Sequence, residues 1–393
     1  MNDIQTQHES IWLRTLWKGS SMPVFSTRAF NKHEQVVFCS DPLTGLRAII
    51  AVHSTVLGPA VGGCRFWDYA AAHRNASLDV ADVRAEEDAI FDVLRLSRGM
   101  SYKNAMAGLR LGGGKSVIIG DPKTIKTPEL LQSFGNYIQR LGGSYYTAED
   151  VGTKPQDMET IHGTTDYVVG LESGEFATGD PSPHTAKGVF TGIQAAVRHK
   201  LGRTDLDGLT VAIQGVGNVG RDVANHLRAA GAKIIITDIV QENIERVLAS
   251  GEAEVVAGDK IHAVDADVFA PCALGGVLNA KTIPQIKAKI IAGAANNVLD
   301  DEVADDRELM KRGILYAPDY IINAGGIISV ESEVHKEHLD DAARARKVAH
   351  IAETLTEVFE ASDKQKQPTG KIANELAEKR IDDKRRALRS AAE

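Results

Sequence analysis

The chain has 393 residues, 43% hydrophobic and 25% charged, the make-up of a soluble globular protein long enough for two domains with separate cores. A formal net charge of −8 leaves no global basic field for nucleic acid or an anionic membrane, so a phosphate-bearing ligand must be held by local backbone and dipole geometry. Cys39, Cys64 and Cys272 are widely spaced with no CxxC, the N-terminus has no continuous apolar signal segment, and no run approaches the ~20 apolar residues of a membrane span, so a cytoplasmic protein without disulfides is expected.

In chain order, about the first 25 residues read as an extension. Gln35–Cys39 and Leu46–Val52 read as strands around Asp41-Pro42-Leu43-Thr44-Gly45, whose Pro and Gly chemistry predicts a hairpin turn. Leu57–Gly63 reads as a Gly-rich bend, and residues 68–80 as a surface loop. A helix is expected from Asp82 towards Gly99, with Glu86 and Glu87 in its first turn and Ala89, Ile90, Val93 and Leu94 as its apolar face. A second Gly-rich segment leads into a buried strand, Ser116–Ile119. Past residue 180 strands alternate with helices: Leu209–Gln214, helix Asn218–Ala230, Lys233–Thr237, then strands at Asp267–Ala270, Ala288–Ala292 and Gly313–Ala317, a pattern that predicts a parallel sheet. Leu339–Glu393 reads as charged helix.

Gly215-Val216-Gly217-Asn218-Val219-Gly220 is a GxGxxG in its required setting, after a strand, opening a helix, and before a second strand that ends in Asp238. The first glycine permits a tight turn, the second lets a pyrophosphate reach the backbone, and the third lets the helix pack closely. The helix N-terminus offers free N–H groups to phosphates. A carboxylate at Asp238 suits the adenosine ribose of NAD and repels the 2′-phosphate of NADP.

The stretch Met100–Lys115 sets Lys103 and Lys115 twelve residues apart among small and apolar residues, ending in GGGK. It is not a P-loop, which would need Gly where Leu109 stands. Two ammonium groups in a dry cleft have a use: one binds a carboxylate, and the other, its pKa lowered by desolvation and by its neighbour, serves as a base. Asp150, in Tyr146-Thr147-Ala148-Glu149-Asp150-Val151-Gly152-Thr153, is an acid partner at a strand end, although an acid in such a loop is also often a turn residue or helix cap.

With these residues the chain resembles the family of glutamate, leucine, valine and phenylalanine dehydrogenases, most of all its leucine branch, from about residue 34 to 385. The resemblance is carried in order by LGPAVGGCR, RGMSYKNAMAGLRLGGGKSVI, YYTAEDVGT, GVGNVG with Asp238, FAPCALGG, IAGAANN and YAPDYIINAGG. It implies an α/β fold of two domains: an N-terminal α/β substrate domain, residues 1–180, and a Rossmann-type dinucleotide-binding domain, 181–350. Helices 351–393 would pack back on the first, and the active site would lie in the cleft. It assigns Lys115 as the catalytic lysine, Asp150 as its proton-transfer partner and Lys103 as carboxylate binder, helped by Asn323 and the backbone at Gly62 or Gly63. Asn296 and Asn297 would meet the nicotinamide ribose, Ala273 the pyrophosphate side, and Thr185 the cofactor.

The implied reaction passes the Cα hydride of an apolar L-amino acid to NAD; Lys115 then activates water against the imine, and Asp150 moves protons to the departing ammonia. Val61 stands where glutamate-specific relatives carry a lysine, and Ala148 matches the leucine branch, so leucine or another branched-chain substrate is expected, with Val348 and Ile351 also lining the pocket. Phenylalanine or tryptophan dehydrogenase is the alternative among enzymes, since one methyl group discriminates by only ~1–3 kcal/mol. A catalytically inactive NAD-binding scaffold is the alternative of another class. No metal is expected; Glu333, His335 and His338 read as a solvated helix face. The resemblance implies a homo-oligomer, an octamer or dimer. Cys64 and Phe66-Trp67, the 68–80 loop and the longer N-terminal extension depart from the family pattern.

Overall fold

A computed structural model describes residues 24–75, 77–273 and 275–391; most of the N-terminal extension lies outside them. The first unit is a five-stranded sheet of β1 (Gln35–Asp41), β2 (Leu46–Ser54), β3 (Ala60–Trp67), β4 (Gly112–Ile119) and β5 (Tyr145–Glu149), in the order β1-β2-β4-β3-β5. β1 and β2 form the expected hairpin, β2 runs antiparallel to β4, and β4, β3 and β5 run parallel. Alternate residues of β2 serve opposite faces, as a period of two requires. Ile49 and Ala51 pack with Ala85, Ala89, Val93 and Leu94 of helix α1 (Leu78–Met106). Ile50 and Val52 pack with Leu130, Leu131 and Phe134 of α2 (Pro128–Gln139) and Met158 and Ile161 of α3 (Pro155–His162).

The second unit starts with α4 (Ser182–Leu201) and holds six parallel strands: β6 (Thr210–Gln214), β7 (Lys233–Thr237), β8 (Glu254–Val255), β9 (Val268–Pro271), β10 (Ile290–Ile291) and β11 (Leu315–Tyr316). Their order, β11-β10-β9-β6-β7-β8, reverses direction between β6 and β9. That is the doubly wound arrangement, with its ligand crevice at the carboxyl ends of the central strands. Helices α5 (Asn218–Ala229), α6 (Gln241–Ala249), α7 (Ala304–Lys311), α8 (Asp319–Ile322) and α9 (Gly325–His335) follow among and after the strands. Of the tail, α10 (Asp341–Gln365) lies along α4, while α11 (Thr369–Ser390) rests on α1 of the first unit.

Four local expectations are corrected. The segment read as a bend becomes strand β3 from Ala60, and β4 begins at Gly112 rather than Ser116. Glycine is depleted in strands because it packs nothing, so both starts read as turns. Helix α1 begins at Leu78 and runs through Gly99 to Met106, which makes Lys103 a helical residue and shortens the 68–80 loop to a single 3₁₀ turn, Tyr69–His73, and its flanks. Helices α2 and α3 had not been anticipated.

Candidate active site

Lys115 projects from the central strand β4, Lys103 from the last turn of α1, and Asp150 directly follows β5. The Lys115 ammonium is paired with the Asp150 carboxylate, and Arg65 Nε lies 3.5 Å from the same oxygen. The Asp150 loop is pinned from behind: the Asp150 N–H donates to the Thr153 hydroxyl (2.9 Å), which donates to the Cys64 carbonyl (3.1 Å). Lys126 donates to the Gly152 carbonyl (3.1 Å) and to Asp157 (2.6 Å), tying the loop to α3. Burial works to raise the Asp150 carboxyl, but the Lys115 ammonium and then Arg65 outweigh it, so it sits below the ordinary carboxylate range.

Desolvation pushes Lys103 down to about 8, with Lys115 adding to the effect and the carboxylates of Asp319 and Asp150 opposing it. Asp319 shows the reverse. Burial raises its carboxyl, although the N–H groups of Val298 (3.1 Å) and Tyr320 (2.6 Å) donate to it. Asp319 and Arg65 are site residues that sequence reasoning missed. Both stood inside quoted motifs, but their partners come from distant segments.

The glycine loop has the three features its motif requires. Gly215 adopts φ +92°, and a Cβ there would lie 2.6 Å from that of Ala273. A Cβ on Gly220 would lie 2.0 Å from the Gly215 carbonyl oxygen, so α5 packs directly on the turn. Around Gly217 nothing lies within 4 Å of a would-be Cβ, and this residue caps α5 with no side chain satisfying the helix N-terminus. The open space and uncapped N–H groups fit a pyrophosphate. Asp238, one residue past β7, accepts from the Val216 N–H (2.7 Å) and the Val240 N–H (2.8 Å), which fixes its carboxylate at the loop where a ribose would arrive. These residues fit NAD.

The cleft between the two sheets encloses about 210 Å³, and Lys103, Lys115, Asp150, Asn296 and Asn297 all face it. Other expected residues stand apart. Asn323 is buried and donates to Asn296 Oδ1 (2.7 Å) and the Ala294 carbonyl (3.1 Å), so one amide hydrogen holds Asn296 and the other the backbone of the same loop. Gly62 and Gly63 are buried within β3, and a Cβ on Gly63 would meet Asp150 Cβ at 2.8 Å, so this glycine lets the acid approach the strand. Val61, Val348 and Ile351 belong to the main apolar core and do not line the cleft; Ala148 packs at that core's edge. Thr185 donates to the Pro181 carbonyl (3.1 Å) at the start of α4, and Ala273 is exposed beside Gly215. Glu333 accepts from the Gly170 N–H (2.7 Å) and the Thr178 N–H (3.0 Å), and His335 meets the Arg110 carbonyl at 3.1 Å, so both serve loop contacts rather than a solvated face.

Residues 33–167 match the model described as Glu/Leu/Phe/Val dehydrogenase, dimerisation domain, and residues 236–388 match that of Glutamate/Leucine/Phenylalanine/Valine dehydrogenase. Residues 185–269 match the NAD binding domain of D-isomer specific 2-hydroxyacid dehydrogenase. The chain is 46% identical to leucine dehydrogenase of Bacillus subtilis (strain 168), over 93% of this chain and 96% of that one. It is 45% identical to phenylalanine dehydrogenase of Bacillus thermotolerans, over 89% of each chain. The crystal structure of L-tryptophan dehydrogenase from Nostoc punctiforme superposes with a TM-score of 0.75 at 42% identity, covering 90% of this chain and 97% of that one. The chain belongs to the glutamate/leucine/phenylalanine/valine dehydrogenase family.

Proposed function

We propose that the chain catalyses reversible, NAD-dependent oxidative deamination of an apolar L-amino acid, leucine or another branched-chain residue first, to its 2-oxo acid and ammonium. The convergence of Lys103, Lys115 and Asp150 on a cleft shared with Asn296 and Asn297 of the dinucleotide-binding unit carries this reading. NAD, when bound, supplies the hydride acceptor. Lys103, as the ammonium, holds the substrate carboxylate. Lys115, once it has passed its proton to Asp150 or solvent, takes a proton from the water that attacks the substrate imine. Asp150, in contact with Lys115, moves protons to the departing nitrogen. The buried setting of Lys115 keeps bulk water from competing.

Preference for leucine is supported by the relatives named leucine dehydrogenase. The relative named phenylalanine dehydrogenase, at nearly the same identity, supports the aromatic alternative. Comparing kcat/KM for leucine, valine, phenylalanine, tryptophan and glutamate decides between them: branched-chain substrates should lead and glutamate should be negligible. A higher constant for phenylalanine would move the assignment to the aromatic branch.

The same reading takes residues 1–180 as the substrate domain and 181–350 as the NAD domain, which the two separate sheets support. A homo-oligomer is proposed with it, supported by the printed description of the N-terminal family model as a dimerisation domain. The three free cysteines support a cytoplasmic setting. Among the described residues no helix is long and apolar enough to cross a membrane.

A further inference from the structure

A line of charged contacts leaves the cleft that the chemistry above does not use. Asp150 Oδ2 lies 3.5 Å from Arg65 Nε, and Arg65 Nη1 lies 2.6 Å from Asp92 Oδ2, which also accepts from the Tyr69 hydroxyl at 2.9 Å. Asp92 Oδ1 lies 3.5 Å from Arg95 Nη2. Arg95 Nη1 then reaches across the cleft to Asn297 Oδ1 at 3.4 Å and Glu302 Oε1 at 3.6 Å. Asp92 and Arg95 stand one turn apart on α1, whereas Asn297 and Glu302 belong to the loop after β10 of the other unit.

The side chains of Asp92 and Arg95 are 15% and 30% exposed, so the pair is screened less than a fully solvated one. A guanidinium suits the position because its fork presents separate donors to Asp92 and to the loop. Asn297 adopts φ +50°, the left-handed region that asparagine enters more readily than most side chains. One guanidinium nitrogen of Arg95 thus meets both the Asn297 amide oxygen at 3.4 Å and the Glu302 carboxylate at 3.6 Å.

We propose that Arg95 is a positioning residue that latches the Asn297–Glu302 loop to the substrate unit and, through Asp92 and Arg65, ties the seating of the cofactor to the placement of Asp150. The proposal rests on the NAD-dependent reading above.

The test uses Arg95→Met, Arg95→Lys, Asn297→Ala and the Arg95→Met/Asn297→Ala double variant in the full chain. NADH binding is read by fluorescence titration without amino acid, and kinetics with each substrate varied in turn. Arg95→Met should weaken NADH binding about fivefold or more and lower kcat/KM for NAD about tenfold, a coupling of ordinary size for neighbouring groups. Its thermal midpoint should stay within about 3 °C of the parent. Arg95→Lys, which keeps the charge but not the fork, should regain only part of the loss, and the double variant should be no worse than the poorer single. Unchanged NADH affinity and kcat/KM in Arg95→Met would overturn the latch. So would losses that follow a fall in thermal midpoint without rescue by lysine, or losses that add fully in the double variant. Failure of the underlying reading would look different: the parent chain itself would bind no NADH or oxidise no amino acid with NAD.

Discussion

Ser101 stands where a side chain on Gly113 would have to be: a Cβ there would lie 2.0 Å from the Ser101 backbone nitrogen. Two residues further on in each element come Lys103 and Lys115, so this approach of α1 to β4 sets the spacing of the two ammonium groups. Gly113→Ala must push α1 and β4 apart. We expect kcat for amino-acid oxidation to fall about 10²-fold, the usual effect of misplacing catalytic groups by about 1 Å. NADH binding, measured by fluorescence titration, should change little. An alanine variant with normal kcat would show that the approach does not position the lysines.

Ser101 also donates to His53 Nδ1 at 2.8 Å, and His53 Nε2 donates to the Asn31 carbonyl at 2.9 Å. His33 packs edge-on to that ring at 4.8 Å, accepting from the Asn31 N–H and donating to the Leu94 carbonyl. Desolvation pushes His33 down to about 4; desolvation, then the neighbouring His33, pushes His53 down to about 3, and Arg98 and Arg385 also face this ring. Both stay neutral in the folded chain while the unfolded chain takes up protons below about pH 6.5. Stability is therefore untouched above that pH and is lost as pH falls from about 6.5 towards 4, by about 2 kcal/mol per histidine at pH 5. Denaturation midpoints of His33→Gln and His53→Gln should fall less steeply than the parent's over this window. Parallel slopes would exclude the pair as a source of acid lability.

Desolvation pushes Lys103 down to about 8, and only its ammonium form can hold a carboxylate. The kcat/KM for the amino acid reports the free enzyme, so this group should make it fall as pH rises through about 8. Lys103→Arg, charged throughout, should shift that limb upward even if it lowers the maximum. The same limb in both proteins would place its origin elsewhere.

Asp238 has one oxygen engaged by the Val216 N–H of the glycine loop and the other by the Val240 N–H two residues on, and a carboxylate at this position of the fold repels the 2′-phosphate of NADP. NAD should be preferred strongly, and Asp238→Asn, which retains an acceptor for one N–H, should narrow the ratio of kcat/KM values for NAD and NADP. Equal use of both cofactors by the parent would contradict the role given to this carboxylate.

The hairpin at Asp41–Gly45 and the strand–turn–helix around Gly215 were legible because their determinants are local: turn residues, spaced glycines and an acid at the next strand end. The starts of β3 and β4 were not, since their glycines are explained by close approaches from other elements: Gly62 by the Gly114 carbonyl, Gly63 by the Glu149 carbonyl and Asp150, Gly112 by the Ser54 carbonyl and Gly113 by Ser101. Lys103, Lys115 and Asp150 were recognisable as residue types in unusual company, but not the Arg65–Asp92–Arg95 line, because each of its members alone reads as an ordinary surface charge. Val348 and Ile351, expected at the substrate, are core residues: a helical apolar stripe does not reveal whether it faces a cavity or a packed helix.

Lys115 is proposed as the base of this amino-acid dehydrogenase, and kcat of Lys115→Ala with leucine and NAD tests that role most directly. It should fall about 10²–10⁴-fold or more, the scale of lost general acid–base catalysis, while NADH titration shows affinity close to the parent's. Added small primary amines should restore part of the rate. Near-normal kcat with an unchanged pH profile would contradict the account and leave Asp150 as the next candidate for the base.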